Sequence, residues 1–290
     1  MAIDPHFLVG LPPRITRHVV SRRDTVLYAL GVGAGSDPET RDDLDFVYEE
    51  RLVALPTMAV VLAYPGFWQR EPLYGIGWKA LLQAEQSITL HAPLPVEGEV
   101  RGELIIESVV DKGVDKGALL TSRRDIFDEA SGALLASARQ VSILRHDGGC
   151  GNAGNPPASR TAEPMPQGKP DKIKALTTRP EQALIYRLSG DLNPLHVDPA
   201  IAAEAGFSRP ILAGLCVYGV VGKALLSLFC SNDPGRLRQL DCRFTSPVYP
   251  GEDMELQAWR MGPGRVRFRL WVSGRDVMAL NNGHLEYEEA

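Results

Sequence analysis

The chain reads as an α+β protein built from two similar halves, each an antiparallel sheet wrapped around a helix. Three observations predict this. A long apolar run, residues 211–230, is followed by several β patterns and not by further helices. The first half echoes the second: Leu27-Tyr-Ala-Leu-Gly31 resembles Ile185-Tyr-Arg-Leu-Ser189, and Leu55-Pro-Thr-Met-Ala-Val-Val-Leu-Ala63 resembles Leu215-Cys-Val-Tyr-Gly-Val-Val221. Between them, residues 146–170 are rich in Gly, Pro, Asn and Ser, lack an apolar period and read as an exposed linker. The expected organisation is an N-terminal repeat, 1–145, the linker, 146–170, and a C-terminal repeat, 171–290.

The elements follow in order. Residues 55–63 read as helix-like, and residues 87–91 as a strand entering the turn Pro95-Val-Glu-Gly-Glu99. Residues 117–127 and 133–144 alternate as strands. In the second half the apolar run 211–230 is a core helix; its length approaches a bilayer span, but Lys223 and three glycines sit within it. Strands follow at 240–244, 266–272 and 277–280, with Pro250-Gly-Glu252 as a shorter form of the first-half turn.

Composition narrows the function. The 290 residues are 44% hydrophobic and 23% charged, ordinary for a soluble globular protein, and the net charge of −5 offers no basic face for nucleic acid. Cys150, Cys216, Cys230 and Cys242 show no Cys-x-x-Cys spacing and read as reduced thiols of a cytoplasmic protein. The N-terminus has no signal-peptide pattern, and Glu-Tyr-Glu-Glu-Ala at the C-terminus is not a Ser-Lys-Leu address. Asp191-Leu-Asn-Pro-Leu lacks the later Gly and Glu of a calcium loop, Gly31-Val-Gly-Ala-Gly-Ser36 lacks the third Gly of a dinucleotide loop, and no Gly-x-Ser-x-Gly elbow occurs. No resident cofactor, no metal and no membrane attachment are expected.

The chemistry concentrates between Tyr186 and Pro199. Asp191 and His196 stand five residues apart around Asn193-Pro194. Pro194 disfavours helix at Asn193, so the segment is a bent, fixed loop that can bring carboxylate and imidazole onto one water. Asp198 reads as the cap of a short helix opening at Pro199. Downstream, the apolar helix opens behind Pro210 and Gly214, and a helix start offers free N–H groups to a developing oxyanion. Together these parts imply addition or removal of water at an activated acyl group. Cys216, inside the apolar helix, reads as core and not as a nucleophile.

Tyr186, Ser189, Gly190, Asp191, Asn193, Pro194, Leu195, His196 and Asp198, followed by Gly206-Phe207, Pro210-Ile211 and Gly214-Leu215, resemble the MaoC-like dehydratases, and in particular enoyl-CoA hydratase 2. The first half is similar to the two-repeat members at residues 23–33, Leu55-Pro-Thr57, Glu85-Gln86 and Asp111-Lys-Gly113. The resemblance implies a double hotdog fold with one active site, because the first repeat has no Asp-x-Asn-Pro-x-His loop. It also implies a shortened helix in that repeat, making room for longer acyl chains.

By the same resemblance Asp191 and His196 are catalytic, the Gly214 N–H binds the thioester oxygen, and Asn193 holds the water or the thioester. Gln83, Ala84, Leu192, Pro194, Leu195 and Phe244 touch the substrate, and Lys112 meets coenzyme A phosphates; Arg243 and Lys223 are weaker phosphate candidates. Gln83-Ala84 and Ala213-Gly214 depart from the family, which commonly has His-Gly at both places. The implied reaction is reversible, (R)-specific hydration of trans-2-enoyl-CoA to (3R)-3-hydroxyacyl-CoA in fatty-acid metabolism, by a homodimer. The competing readings are a hotdog acyl-CoA thioesterase, a dehydratase acting on acyl-carrier-protein thioesters, and a non-catalytic acyl-ligand sensor.

Overall fold

The computed structural model describes residues 3–37, 39–158, 161 and 164–289. Met1, Ala2 and Ala290, which entered the reading of the termini, lie outside the described residues, as do Pro38 and four positions of the linker. An 11-stranded sheet forms the frame. Its strands are β1 (Arg14–Val20), β2 (Leu81–Leu90), β3 (Gly98–Asp111), β4 (Ala118–Asp128), β5 (Leu134–Leu144), β6 (Ala153–Gly154), β7 (Lys172–Thr177), β8 (Leu237–Phe244), β9 (Asp253–Arg260), β10 (Arg265–Val272) and β11 (Val277–Tyr287). The order β1-β3-β4-β5-β2-β8-β11-β10-β9-β7 reads as one five-strand unit followed by its reverse. The two units meet where β2 pairs antiparallel with β8, from Glu85 opposite Arg243 to Thr89 opposite Gln239. This is the double hotdog arrangement.

The repeats differ at their central helices. In the second repeat α6 (Gly214–Cys230) is apolar nearly all round and buried. Val217, Val221, Leu225 and Phe229 are each at most 5% exposed; burial of such a side chain contributes about 1.5–3 kcal/mol. In the first repeat the corresponding segment is not the helix that residues 55–63 predict. It is a short 3₁₀ turn, Pro56–Val60, ended by Ala63 at φ 46°. Apolar composition alone does not distinguish a full helix from one buried turn. Buried Arg124 of β4 closes that turn by donating from Nη2 to the carbonyls of Ala59, at 3.0 Å, and Val60, at 2.8 Å.

Among the described residues five short helices accompany the sheet: α1 (Pro5–Val9), α2 (Arg22–Gly31), α3 (Leu44–Val47), α4 (Gln182–Tyr186) and α5 (Pro199–Glu204). Two glycines of α6 let the repeats approach. A Cβ at Gly219 would lie 2.4 Å from Val32 Cγ1, and one at Gly222 would lie 2.3 Å from Thr57 Cγ2. Arg179 and Gln182 then donate to the carbonyls of Leu30 and Gly31 at the end of α2, at 2.7 and 3.2 Å. The two halves therefore share one core.

Most of the described linker residues are exposed, but the segment is anchored to the fold at a few points. Residues 153–154 form β6 on β3, Asp147 and Thr161 are buried, and the Gly168 carbonyl accepts the Trp259 indole N–H at 3.2 Å. Backbone carbonyls and small side chains supply these contacts, so apolar periodicity does not reveal them. No helix among the described residues is long and apolar enough to cross a membrane.

Candidate active site

The loop that carries Asp191 and His196 is shaped by its own side chains. Gly190 turns it at φ 114°, a conformation that favours glycine. Asp191 Oδ1 accepts the Asn193 N–H at 3.3 Å, and Asn193 Oδ1 accepts the Leu195 N–H at 3.1 Å. Asn193 takes ψ 123°, the extended form that a following proline requires. A 3₁₀ turn, Pro194–His196, follows, and Asp198 caps α5 by accepting the Ala200 N–H at 2.8 Å.

These turns bring His196 Nε2 to 3.7 Å from Asp191 Oδ2. That gap is too long for a direct hydrogen bond and lets one water reach both groups. His196 is buried, and its Nδ1 lies 2.9 Å from the Ile211 carbonyl. A carbonyl only accepts, so Nδ1 carries hydrogen and the neutral ring presents a lone pair at Nε2. Ile211 lies three residues ahead of Gly214, so this bond ties the loop to the start of α6. Asp191 also acts on the first turn of that helix: burial pushes the Cys216 thiol well up, and the nearby Asp191 charge adds to the shift. Cys216 is buried core.

Gly214 opens α6, whose first N–H groups lack intrahelical acceptors. The ring of Phe244 covers it, 3.2 Å from where a Cβ would stand. Gln83 and Ala84 lie at a bulge in β2, and the register of Glu85 opposite Arg243 sets them beside Phe244. The structure thus joins the loop, Gly214 and Phe244 around the first turn of α6. Leu192 and Pro194 are exposed on the loop, and Leu195 is half-buried.

Lys112 stands apart. It is exposed in the turn between β3 and β4, at the strand ends where Asp111 pairs with Ala118, and Ala118 and Leu81 both pair with Leu144. Lys223 and Arg243 are already engaged, by Asp43 and Glu85, each at 2.7 Å.

Sequence reasoning missed three side chains beside this site. Tyr64 lines a cavity of about 290 Å³ that reaches Ser189 and Gly190 of the loop. Burial first, and the Asp191 charge second, push its hydroxyl up to about 12, with Arg124 opposing. Arg124 lies 5.3 Å from the Tyr64 ring centroid, and His18 of β1 lines the same cavity as Tyr64. Nothing local marks any of the three. The repeat aligns Tyr28 with Tyr186, and the two rings lie 6.1 Å apart.

A MaoC-like domain model matches residues 161–280, and an MFE-2 hydratase 2 N-terminal domain model matches residues 18–146. The chain is 40% identical to 3-hydroxyacyl-thioester dehydratase Y of Mycobacterium tuberculosis over 297 aligned positions, covering 99% of both. It is 36% identical to the peroxisomal enoyl-CoA hydratase 2 of Arabidopsis thaliana, covering 91% of this chain and 89% of that one. A crystal structure of a MaoC-like dehydratase from Phytophthora capsici superposes with a TM-score of 0.87 at 32% identity, covering 98% of each chain. The chain belongs to the MaoC-like dehydratases, in the two-repeat form whose first repeat is a hydratase 2 N-terminal domain.

Proposed function

We propose that this protein is an (R)-specific 2-enoyl-CoA hydratase, a hydro-lyase that reversibly adds water to trans-2-enoyl-CoA to give (3R)-3-hydroxyacyl-CoA in fatty-acid metabolism. The observation that carries this is the 3.7 Å gap between His196 Nε2 and Asp191 Oδ2 at the head of α6. In this reading one water sits between the two groups. An O–H bond of that water breaks toward the dyad, and its oxygen bonds to Cβ. The alkene pair moves onto the thioester oxygen, where the Gly214 N–H stabilises the enolate. The enolate then collapses as Cα takes a proton from the dyad. With Nδ1–H donating to Ile211, the neutral His196 ring presents its Nε2 lone pair to the water.

Phe244 and the Gln83-Ala84 bulge shape the thioester end, with Leu192, Pro194, Leu195 and Asn193 on the loop side. Lys112 takes the coenzyme phosphates. The enzyme works as a homodimer without resident cofactor or metal, on the strength of the family resemblance and of motifs missing from the sequence. The four unpaired cysteines support a reducing, cytoplasmic setting, although the Arabidopsis relative is peroxisomal.

The test is an ultraviolet assay at the enoyl thioester band with crotonyl-, octenoyl- and dodecenoyl-CoA, followed by chiral analysis of the product. Loss of the band with formation of (3R)-hydroxyacyl-CoA is expected. Release of free thiol in its place makes the protein a thioesterase, and (3S) product ends the stereochemical assignment.

A further inference from the structure

The cavity beside the loop is walled by both apolar and polar side chains. Its walls include Ser189 and Gly190 of the loop, Tyr28 of α2, and Met58, Val61, Ala63 and Tyr64 at the short turn. Thr16, Arg17 and His18 of β1 and Asp24 of α2 also line it. Helix α2 gives the direction. Its last residue, Gly31, packs against Tyr186, just ahead of the loop. Asp24 lies seven residues earlier, about 10 Å away along the helix axis. An acyl chain whose thioester sits at Gly214 and that enters this cavity points its far end toward β1.

The polar side chains there are not equivalent. Arg17 is held by Glu129 at 2.9 Å. Asp24 is closed into the capping box of α2, accepting the Ser21 N–H at 2.9 Å and the Ser21 hydroxyl at 2.7 Å. His18 Nδ1 accepts the Ala63 N–H at 3.3 Å, so the neutral ring carries its hydrogen on Nε2. Among the described residues no group accepts that hydrogen. Burial pushes the imidazole below its ordinary value, against a smaller opposing effect of Asp24, which keeps the ring neutral.

We propose that His18 Nε2–H recognises the distal part of the acyl chain, and that the preferred substrates carry an acceptor oxygen, a hydroxyl or carbonyl, several carbons beyond the double bond. A plain hydrocarbon end leaves this donor facing carbon, whereas an oxygen there pairs with it. This deepens the hydratase reading and rests on it for the identity of the thioester.

His18 also holds the Ala63 N–H, where the backbone takes φ 46°, so the test must separate recognition from support. His18→Asn places an amide oxygen near the position of Nδ1, able to accept from Ala63, and removes the Nε2 donor. Binding of octanoyl-CoA and 8-hydroxyoctanoyl-CoA, neither of which can be hydrated, is measured by calorimetry on wild type and variant. Turnover of the two matching 2-enoyl thioesters is followed in parallel. Wild type is expected to favour the hydroxylated chain by about three- to tenfold, the range of one net hydrogen bond. His18→Asn should remove that preference, the variant binding the two chains alike, with an unchanged circular dichroism spectrum.

Equal binding of the two chains by wild type overturns the proposal without any variant, and so does a preference that survives in His18→Asn. If the binding preference stands but neither enoyl thioester is hydrated, the hydratase reading fails and the recognition role holds. Hydration without the binding preference keeps the hydratase reading and ends the recognition role.

Discussion

Asp191 Oδ2 stands 3.7 Å from His196 Nε2, while the other nitrogen of His196 is fixed on the Ile211 carbonyl. Both groups therefore face one water-sized gap. Asp191→Asn and His196→Gln keep size and remove proton transfer, which contributes about 10²–10⁴-fold. Each is expected to lower kcat at least about a hundredfold with an unchanged circular dichroism spectrum. Because both act on one water, the double variant should be little slower than the slower single. Near-normal turnover in either single variant removes that residue from the chemistry.

The close approach of the repeats at Gly222 makes a stability prediction. A Cβ there meets Thr57 Cγ2 at 2.3 Å, so Gly222→Ala should cost about 1–3 kcal/mol by overpacking. Thr57→Ser deletes that methyl group and should recover part of the loss. Urea unfolding of the two singles and the double gives the coupling energy, and strictly additive effects would show that the contact is not the cause.

Lys112 lies in an exposed turn away from the dyad loop. A phosphate contact there binds substrate and transition state alike, so Lys112→Ala should raise KM for a CoA thioester more than it lowers kcat. A pantetheine thioester, which lacks those phosphates, should not distinguish variant from wild type. Equal loss of kcat on both substrates would place Lys112 at the reaction centre or in the fold.

His18 predicts a pH dependence of stability. Its folded-state value lies below the ordinary 6.5, mainly through burial. Between those two values the unfolded chain binds more protons, so stability rises with pH across that window. The contribution is whole above 6.5 and is lost as pH falls toward the folded value. Urea midpoints measured from about pH 7 to about pH 5.5 should decline, and His18→Asn should flatten the slope. An unchanged slope would assign the decline to other groups.

The sequence by itself determined the repeat, the long helix and the reactive loop, because each is written in local chemistry. Pro194 forbids helix at Asn193, Gly190 permits the turn, and Asp191, Asn193 and Asp198 bond to backbone groups two residues on. Strand β3, by contrast, was invisible as a strand, and residues 55–63 promised a helix that the fold reduces to Pro56–Val60. Only the tertiary structure decided that the turn ends where buried Arg124 takes two of its carbonyls. It alone set Tyr64, Arg124 and His18 beside the loop, from elements far apart in the chain. The physical reason is one of range. A turn is fixed by torsion angles and neighbouring hydrogen bonds, whereas a cavity wall is fixed by the register of strands, and no short stretch of sequence records which strand lies alongside.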